Sequence, residues 1–174
     1  KTFGSISNIY RANQDEFCQA HGLGTAKYVQ LQACLEMSKR YLAEQINHKV
    51  VLTSSQSTRQ YLIAQLRNET REVFAILFLD NQHKVIKFER LFFGTIDAAA
   101  VYPRIVVEQA IKHQAAAVIL THNHPSGVAE ASIADKHITT RLTQALGLID
   151  VRVLDHIIVA AHQCYSFAEQ GDLV

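Results

Sequence analysis

His122 and His124 stand two residues apart at the end of the run Ala116-Ala117-Val118-Ile119-Leu120-Thr121-His122-Asn123-His124-Pro125. Side chains alternate along a strand, so both imidazoles leave such a strand end on one face and can share one ion. A three-ligand site with an open fourth position needs one more donor, and Asp135, eleven residues after His124 and early in the helix expected from Ser132, can be that carboxylate. Two imidazoles and a carboxylate suit Zn²⁺ better than Ca²⁺ or Mg²⁺, and water on such an ion has a pKa near ~7. The chemistry indicated is hydrolytic rather than structural.

Positioning these donors requires a strand, a loop and a helix. Ala116 to Leu120 reads as a short buried strand carrying the polar residues at its C-terminal end, and Ser132 is expected to cap a helix running to about Leu146, stopped by Gly147. The loop between, PSGVAEASIA, has enough small residues to bring that helix start back to the strand. Upstream, Val73 to Leu79 and Val85 to Phe93 flank the turn Asp80-Asn81-Gln82 as a hairpin, and Pro103 opens a helix with Val106, Val107, Ala110 and Ile111 on one face. Downstream, Val151 to Leu154, Ile157 to Ala161 and Tyr165 to Phe167 read as three strands, with Cys164 as a small core residue. The expected architecture is α/β, a mixed sheet flanked by helices.

The first part of the chain has another pattern. Thr25 to Ile46 reads as an amphipathic helix, Asn13 to Ala20 as a shorter one, and Gly22-Leu23-Gly24 as the turn between them. Two short helices meeting at Gly-Leu-Gly resemble half of a helix-hairpin-helix module, in which backbone N–H groups approach a phosphate. Gly22, Gly24 and Lys27 are the candidate nucleic-acid contacts, with Lys27 as the cation. After Asn47 the Ser/Thr-rich stretch Thr53, Ser54, Ser55, Ser57 and Thr58 is suited to cap a helix through about Arg67. The boundary is placed near residues 47 to 53, giving a helical segment over 1–50 and a metal-binding domain over 51–174.

Composition narrows the field. The 174 residues are 48% hydrophobic and 19% charged, with only 7 Gly and 2 Pro, which excludes disorder as the main state. Lys plus Arg (17) nearly balances Asp plus Glu (16), so contact with nucleic acid has to be local. Three cysteines (Cys18, Cys34, Cys164) without a C-x-x-C pair suggest neither a disulfide framework nor a thiolate zinc knuckle. No window approaches the ~18 apolar residues of a membrane span, and Lys1 to Tyr10 lacks a signal-peptide plan. A cytoplasmic protein away from membranes is expected. Lys1 is not an initiator Met, so the natural N-terminus is expected upstream.

His122-x-His124, seven residues, Ser132, two residues and Asp135 reproduce the H-x-H-x7-S-x2-D pattern, so the chain resembles the JAMM (JAB/MPN) metalloproteases. HNHPSG, Ser-x-x-Asp, Leu154-Asp155-His156-Ile157-Ile158-Val159 and Ser166-Phe167-Ala168-Glu169 resemble the RadC family more closely, as do Phe3-Gly4-Ser5, the GLG-x-A-K stretch from Gly22 to Lys27, and Gln30-Leu31-Gln32-Ala33. RadC-like sequences usually carry Pro before the serine, where this chain has Ala131. That change loosens the loop and removes no ligand.

The resemblance implies roles. Zn²⁺ would be held by His122, His124 and Asp135, and Glu72, ahead of the strand Val73-Phe74-Ala75-Ile76-Leu77, would be the general acid/base. Glu69 competes with Glu72 but falls in the preceding turn. Ser132 would hydrogen-bond the tetrahedral oxyanion besides capping its helix. The function implied is hydrolysis of an amide or isopeptide bond in a peptide or protein, with a link to DNA repair. The alternative is a DNA-associated accessory protein with a structural or regulatory metal site. A zinc deaminase is disfavoured because no H-x-E with a following P-C-x-x-C is present. Asp155-His156, at a strand start, could orient a ligand from behind but reads more simply as a salt-bridged or hydrogen-bonded structural pair and not as a ligand itself, and His21, His48, His83, His113, His137 and His162 read as surface residues. Nothing in the sequence sets the oligomeric state.

Overall fold

A computed structural model describes residues 3–47, 55–94, 101–161 and 163–173, with side chains only to residue 41 in the first stretch. The elements are α1 (Ile6–Arg11), α2 (Gln14–Cys18), α3 (Thr25–Asn47), α4 (Ser55–Leu66), β1 (Val73–Leu79), β2 (Val85–Phe93), α5 (Pro103–Lys112), β3 (Ala117–Asn123), α6 (Ile133–Gly147), β4 (Arg152–Ala160), β5 (Gln163–Ser166) and α7 (Phe167–Gln170). The strands form one mixed sheet in the order β2-β1-β3-β4-β5. The β3–β4 pair is parallel and the other three are antiparallel.

Every residue of β1 and β3 is buried, because helices cover both faces of the middle of the sheet. On one face Tyr61, Leu62 and Leu66 of α4 pack on Val73, Ala75, Leu77, Ile119, Ile157 and Val159. On the other, Val106 and Ala110 of α5 and Leu142 and Leu146 of α6 pack on Phe74, Ile76, Phe78, Val118 and Leu120. Alternating residues of each inner strand thus feed two separate cores, each buried leucine contributing about 1.5–3 kcal/mol. Cys164 lies against the α4-side core, where burial pushes its thiol up to about 11.

The hairpin has the bounds its sequence suggests, while the later strands differ. The expected break between Val151–Leu154 and Ile157–Ala161 is absent, and β4 runs through Asp155 and His156. The polar pair does not interrupt the strand because the fold satisfies it. The Asp155 carboxylate accepts from Ser166 Oγ at 2.6 Å, from the Ala168 N–H at 3.0 Å and from the His156 N–H at 2.7 Å. The register slips once: Val118 pairs with Val153 but Ile119 pairs with Asp155, leaving Leu154 as an extra residue. This β-bulge reverses the phase of β4, so Val151 and Val153 face the α6 side before it, and His156 and Ile158 face that side after it. The last strand is Gln163–Ser166, and Phe167 belongs to α7, capped by Ser166.

At the N-terminus, α2 has a capping box from Asn13 and Glu16. Arg11 Nη2 donates to the Arg67 carbonyl at 2.6 Å and Arg67 Nη2 to Ser7 Oγ at 3.3 Å, which ties α1 to the end of α4. The suggested boundary near 47 to 53, and the proposed caps Thr53 and Ser54, lie largely outside the described residues. Among the described residues, no helix is long and apolar enough to cross a membrane.

Candidate metal centre

β3 extends to Asn123, so His122 is part of the ladder rather than of a loop beyond it. It pairs with Phe74 on β1 and Ile158 on β4, is almost wholly buried, and stacks on the Phe74 ring at 6.0 Å between centroids. His124 follows just past the strand, its own N–H bonded to the Val159 carbonyl at 2.9 Å. Its Nδ1 lies 3.0 Å from the Val128 carbonyl oxygen, which fixes the ring from the loop side.

Asp135 arrives from the first turn of α6 through a capping box. Ser132 Oγ accepts from the Asp135 N–H at 3.1 Å, and Asp135 Oδ2 accepts from the Ser132 N–H at 2.8 Å and from its hydroxyl at 2.6 Å. The cap that starts the helix therefore also orients the carboxylate.

The three side chains offer donor atoms that all lie within 4.8 Å of one another. His122 Nε2 is 2.9 Å from His124 Nε2 and 3.1 Å from Asp135 Oδ1, and His124 Nε2 is 3.5 Å from Asp135 Oδ2. Metal–ligand arms of about 2.0–2.1 Å in a tetrahedron set donors ~3.3–3.4 Å apart, so these separations fit a zinc-sized ion. Burial pushes the Asp135 carboxyl up, but the hydrogen bonds from His122 and His124 and that from Ser132 outweigh it and hold it well below the usual range. The Asp135 hydrogen bond raises His124, against its burial. The centre is thus an anion beside imidazoles, a setting that favours a cation.

Glu72 sits immediately before β1. The β1–β3 ladder ends with Phe74 opposite His122, two residues after Glu72 and two before His124. The charge of Glu72 is among those that raise His124. Its carbonyl accepts from the Gly94 N–H at 2.8 Å. Glu69 instead places Oε1 3.6 Å from Arg90 Nε, in an ion pair away from the histidines.

Two residues that sequence reasoning gave no role, Asn123 and Thr139, belong to this region. Buried Asn123 accepts from the Val73 N–H at 2.8 Å through Oδ1 and donates to the Arg71 carbonyl at 3.0 Å through Nδ2, gripping the backbone on both sides of Glu72. His156 joins the histidine cluster, which matches the less favoured of its two sequence readings, a residue that orients a ligand. Its Nε2 is 2.9 Å from His122 Nδ1, and its Nδ1 is 2.6 Å from Thr139 Oγ1. Burial holds His156 well below its ordinary value and hence neutral. The only sequence signal was a polar residue inside an apolar strand.

Among the other histidines, His21 and His137 are exposed, as expected. His113 is not a plain surface residue: it packs on Phe78 at 4.8 Å and lies 3.1 Å from Glu89 Oε2. His83 is half-buried with Nε2 3.2 Å from Arg152 Nη2. His48 and His162 lie outside the described residues. At the N-terminal turn Gly22 adopts φ +78°, α3 begins at Thr25 just after Gly24, and Lys27 Nζ donates to the Gly22 carbonyl at 2.6 Å.

A mixed five-stranded sheet with flanking helices and a His-x-His pair at the carboxyl end of its middle strand is the architecture of a JAB/MPN-type α/β domain. A family model described as the RadC-like JAB domain matches residues 52–172, and the chain belongs to that family. The chain is 63% identical over 169 residues to a protein of Tolumonas auensis named UPF0758 protein, a match covering 97% of this chain and 75% of the relative. It is 62% identical to an Aeromonas hydrophila protein of the same name, with the same coverage. A third relative with that name, from Vibrio cholerae, is 58% identical over 171 residues, covering 98% of this chain and 76% of its own length.

Proposed function

We propose that this chain is a zinc-dependent metallopeptidase of the JAMM type, hydrolysing an amide or isopeptide bond in a peptide or protein. The observation that carries the reading is the convergence of His122 Nε2, His124 Nε2 and the Asp135 carboxylate on one point, and the charge of Glu72 acting on His124 supports the choice of base. Zn²⁺ held by these three side chains supplies Lewis acidity for a carbonyl and lowers the pKa of water to about 7. Glu72 takes the proton of the attacking water and returns it to the leaving nitrogen. Ser132 donates its hydroxyl proton to Asp135 Oδ2, an oxygen that the Ser132 backbone N–H also serves. The hydroxyl can therefore turn its proton to a developing oxyanion while the carboxylate keeps its backbone bond. The free cysteines suit a reducing, cytoplasmic setting.

The test is Glu72→Gln. Zinc content measured by elemental analysis stays at the wild-type stoichiometry while hydrolysis in a peptide library is lost; unchanged turnover refutes the base assignment. A second reading, DNA contact through the N-terminal helices with a link to repair, is favoured by the tether of Lys27 to Gly22, which keeps a cation at the glycine turn. Binding to branched or single-stranded DNA that weakens steeply with salt supports it, and salt-independent binding or none opposes it.

A further inference from the structure

The hydrogen bonds behind His122 have a direction that one hydroxyl determines. Thr139 Oγ1 lies 2.6 Å from the Asp135 carbonyl oxygen and 2.6 Å from His156 Nδ1. Two oxygens that close need a proton between them, a carbonyl can only accept, and a hydroxyl has one proton to give. Thr139 therefore donates to Asp135 and turns a lone pair to His156, whose proton must sit on Nδ1. His156 is fully buried between the Phe74 and Phe167 rings, an environment that admits a neutral imidazole with a single N–H. Its Nε2 is then an acceptor, and His122, 2.9 Å away, must hold its own proton on Nδ1.

The consequence falls on the far side of His122. With Nδ1–H engaged by His156, the lone pair of the neutral His122 ring lies on Nε2, the atom that faces His124 and Asp135, and a proton shared there with Asp135 in the metal-free site is the one a cation displaces. His124 reaches the same state independently, because its Nδ1 faces the Val128 carbonyl. A neutral imidazole in water prefers its proton on Nε2, which would block the coordinating atom, so the default has to be reversed by partners on Nδ1.

We propose that Thr139 and His156 are positioning residues, a relay running from an α6 carbonyl through two side chains that sets the tautomer of His122 and so makes its Nε2 a ready metal donor. The relay rests on the metal-centre reading above and names the residues that prepare it.

Two measurements separate the two ideas. Long-range ¹H–¹⁵N correlation spectra of the full chain, metal-free and Zn²⁺-loaded, report which ring nitrogen carries each proton, and chelator competition reports Zn²⁺ affinity. In the wild type, His122 and His156 both show Nδ1–H without metal, and His122 keeps it when Zn²⁺ binds. Thr139→Val keeps the side-chain volume but withdraws the acceptor from His156; its proton moves to Nε2, His122 is driven to the Nε2–H form, and Zn²⁺ affinity falls about 10–100-fold. Thr139→Ser restores both the tautomer and the affinity, which a purely structural role for Thr139 would not require of the spectrum. An Nε2–H form of His156 in the wild type overturns the relay, as does Thr139→Val with unchanged tautomers and unchanged affinity. A wild-type chain with Nδ1–H on both rings but no Zn²⁺ uptake supports the relay and overturns the metal reading instead.

Discussion

Replacing Asn123 with alanine removes a side chain that grips the backbone on both sides of Glu72. Asn123 is 3% exposed, and its amide spans the Val73 N–H at 2.8 Å and the Arg71 carbonyl at 3.0 Å. The two losses are unequal. Val73 is fully buried, so its N–H has no water to turn to, whereas Arg71 is exposed and its carbonyl can be rehydrated. An unsatisfied buried N–H costs about 1–3 kcal/mol and the second bond about 0.5–1 kcal/mol, giving about 1.5–4 kcal/mol in all. For a chain of this size that lowers Tm by roughly 3–16 °C. Thermal unfolding and hydrolysis are measured for Asn123→Ala, Glu72→Gln and the double variant. If Glu72 is the proposed base, the clamp bears on catalysis through it, and the expected outcome is that Asn123→Ala slows hydrolysis while zinc stoichiometry holds. In the Glu72→Gln background it lowers Tm by the same amount without further slowing any residual rate. An Asn123→Ala chain with wild-type Tm and turnover refutes the clamp, and an additive rate loss in the double variant refutes its action through Glu72.

Other perturbations follow from the charges. The folded value of His124 is raised above its ordinary 6.5, so its contribution to metal-free stability is present below pH 6.5 and lost as pH rises through the folded value. The folded value of His156 is depressed, so its contribution is present above pH 6.5 and lost as pH falls, and Asp135 adds a further loss below its ordinary 3.8. Denaturant titrations of metal-free chain across pH 3–9 should therefore show stability falling on both sides of neutrality, and Asp135→Asn should weaken both the alkaline and the most acid arms. Zn²⁺ competes with the His124 proton, so apparent affinity falls by about tenfold per pH unit below the raised value, and Asp135→Asn moves that break to lower pH while weakening binding. At the N-terminal turn, Gly22 has φ +78°, so Gly22→Ala costs about 1 kcal/mol, read as a Tm lower by ~2–4 °C. If DNA is bound there, Lys27→Ala lowers the salt slope of binding by about 1 with no change in Tm.

Much of the centre was legible because it is built from local sequence rules. His122 and His124 share a face because strand side chains repeat every two residues, and Ser132 with Asp135 forms a capping box because a helix start needs its first N–H groups satisfied. The hairpin Val73–Leu79 and Val85–Phe93 was legible for the same kind of reason, two apolar runs around a polar turn. Asn123 was less visible, since a buried amide gripping a strand fifty residues away leaves only a polar letter in an apolar run. The short helix α1 was missed outright, being six residues long with one side-chain cap at Ser5 and no buried residue.

By itself, then, the amino-acid order determined the donor types, their spacing and the helix cap that aims the carboxylate. The place of His156 was decided by the tertiary structure. Counted from Val151 and Val153 by strict alternation, His156 would face α4 and Asp155 the metal side, and only the bulge at Leu154, where β4 pairs with β3, exchanges them. A bulge is a property of two paired strands, in which one supplies an extra residue against the other, and the pattern of either strand alone does not contain it.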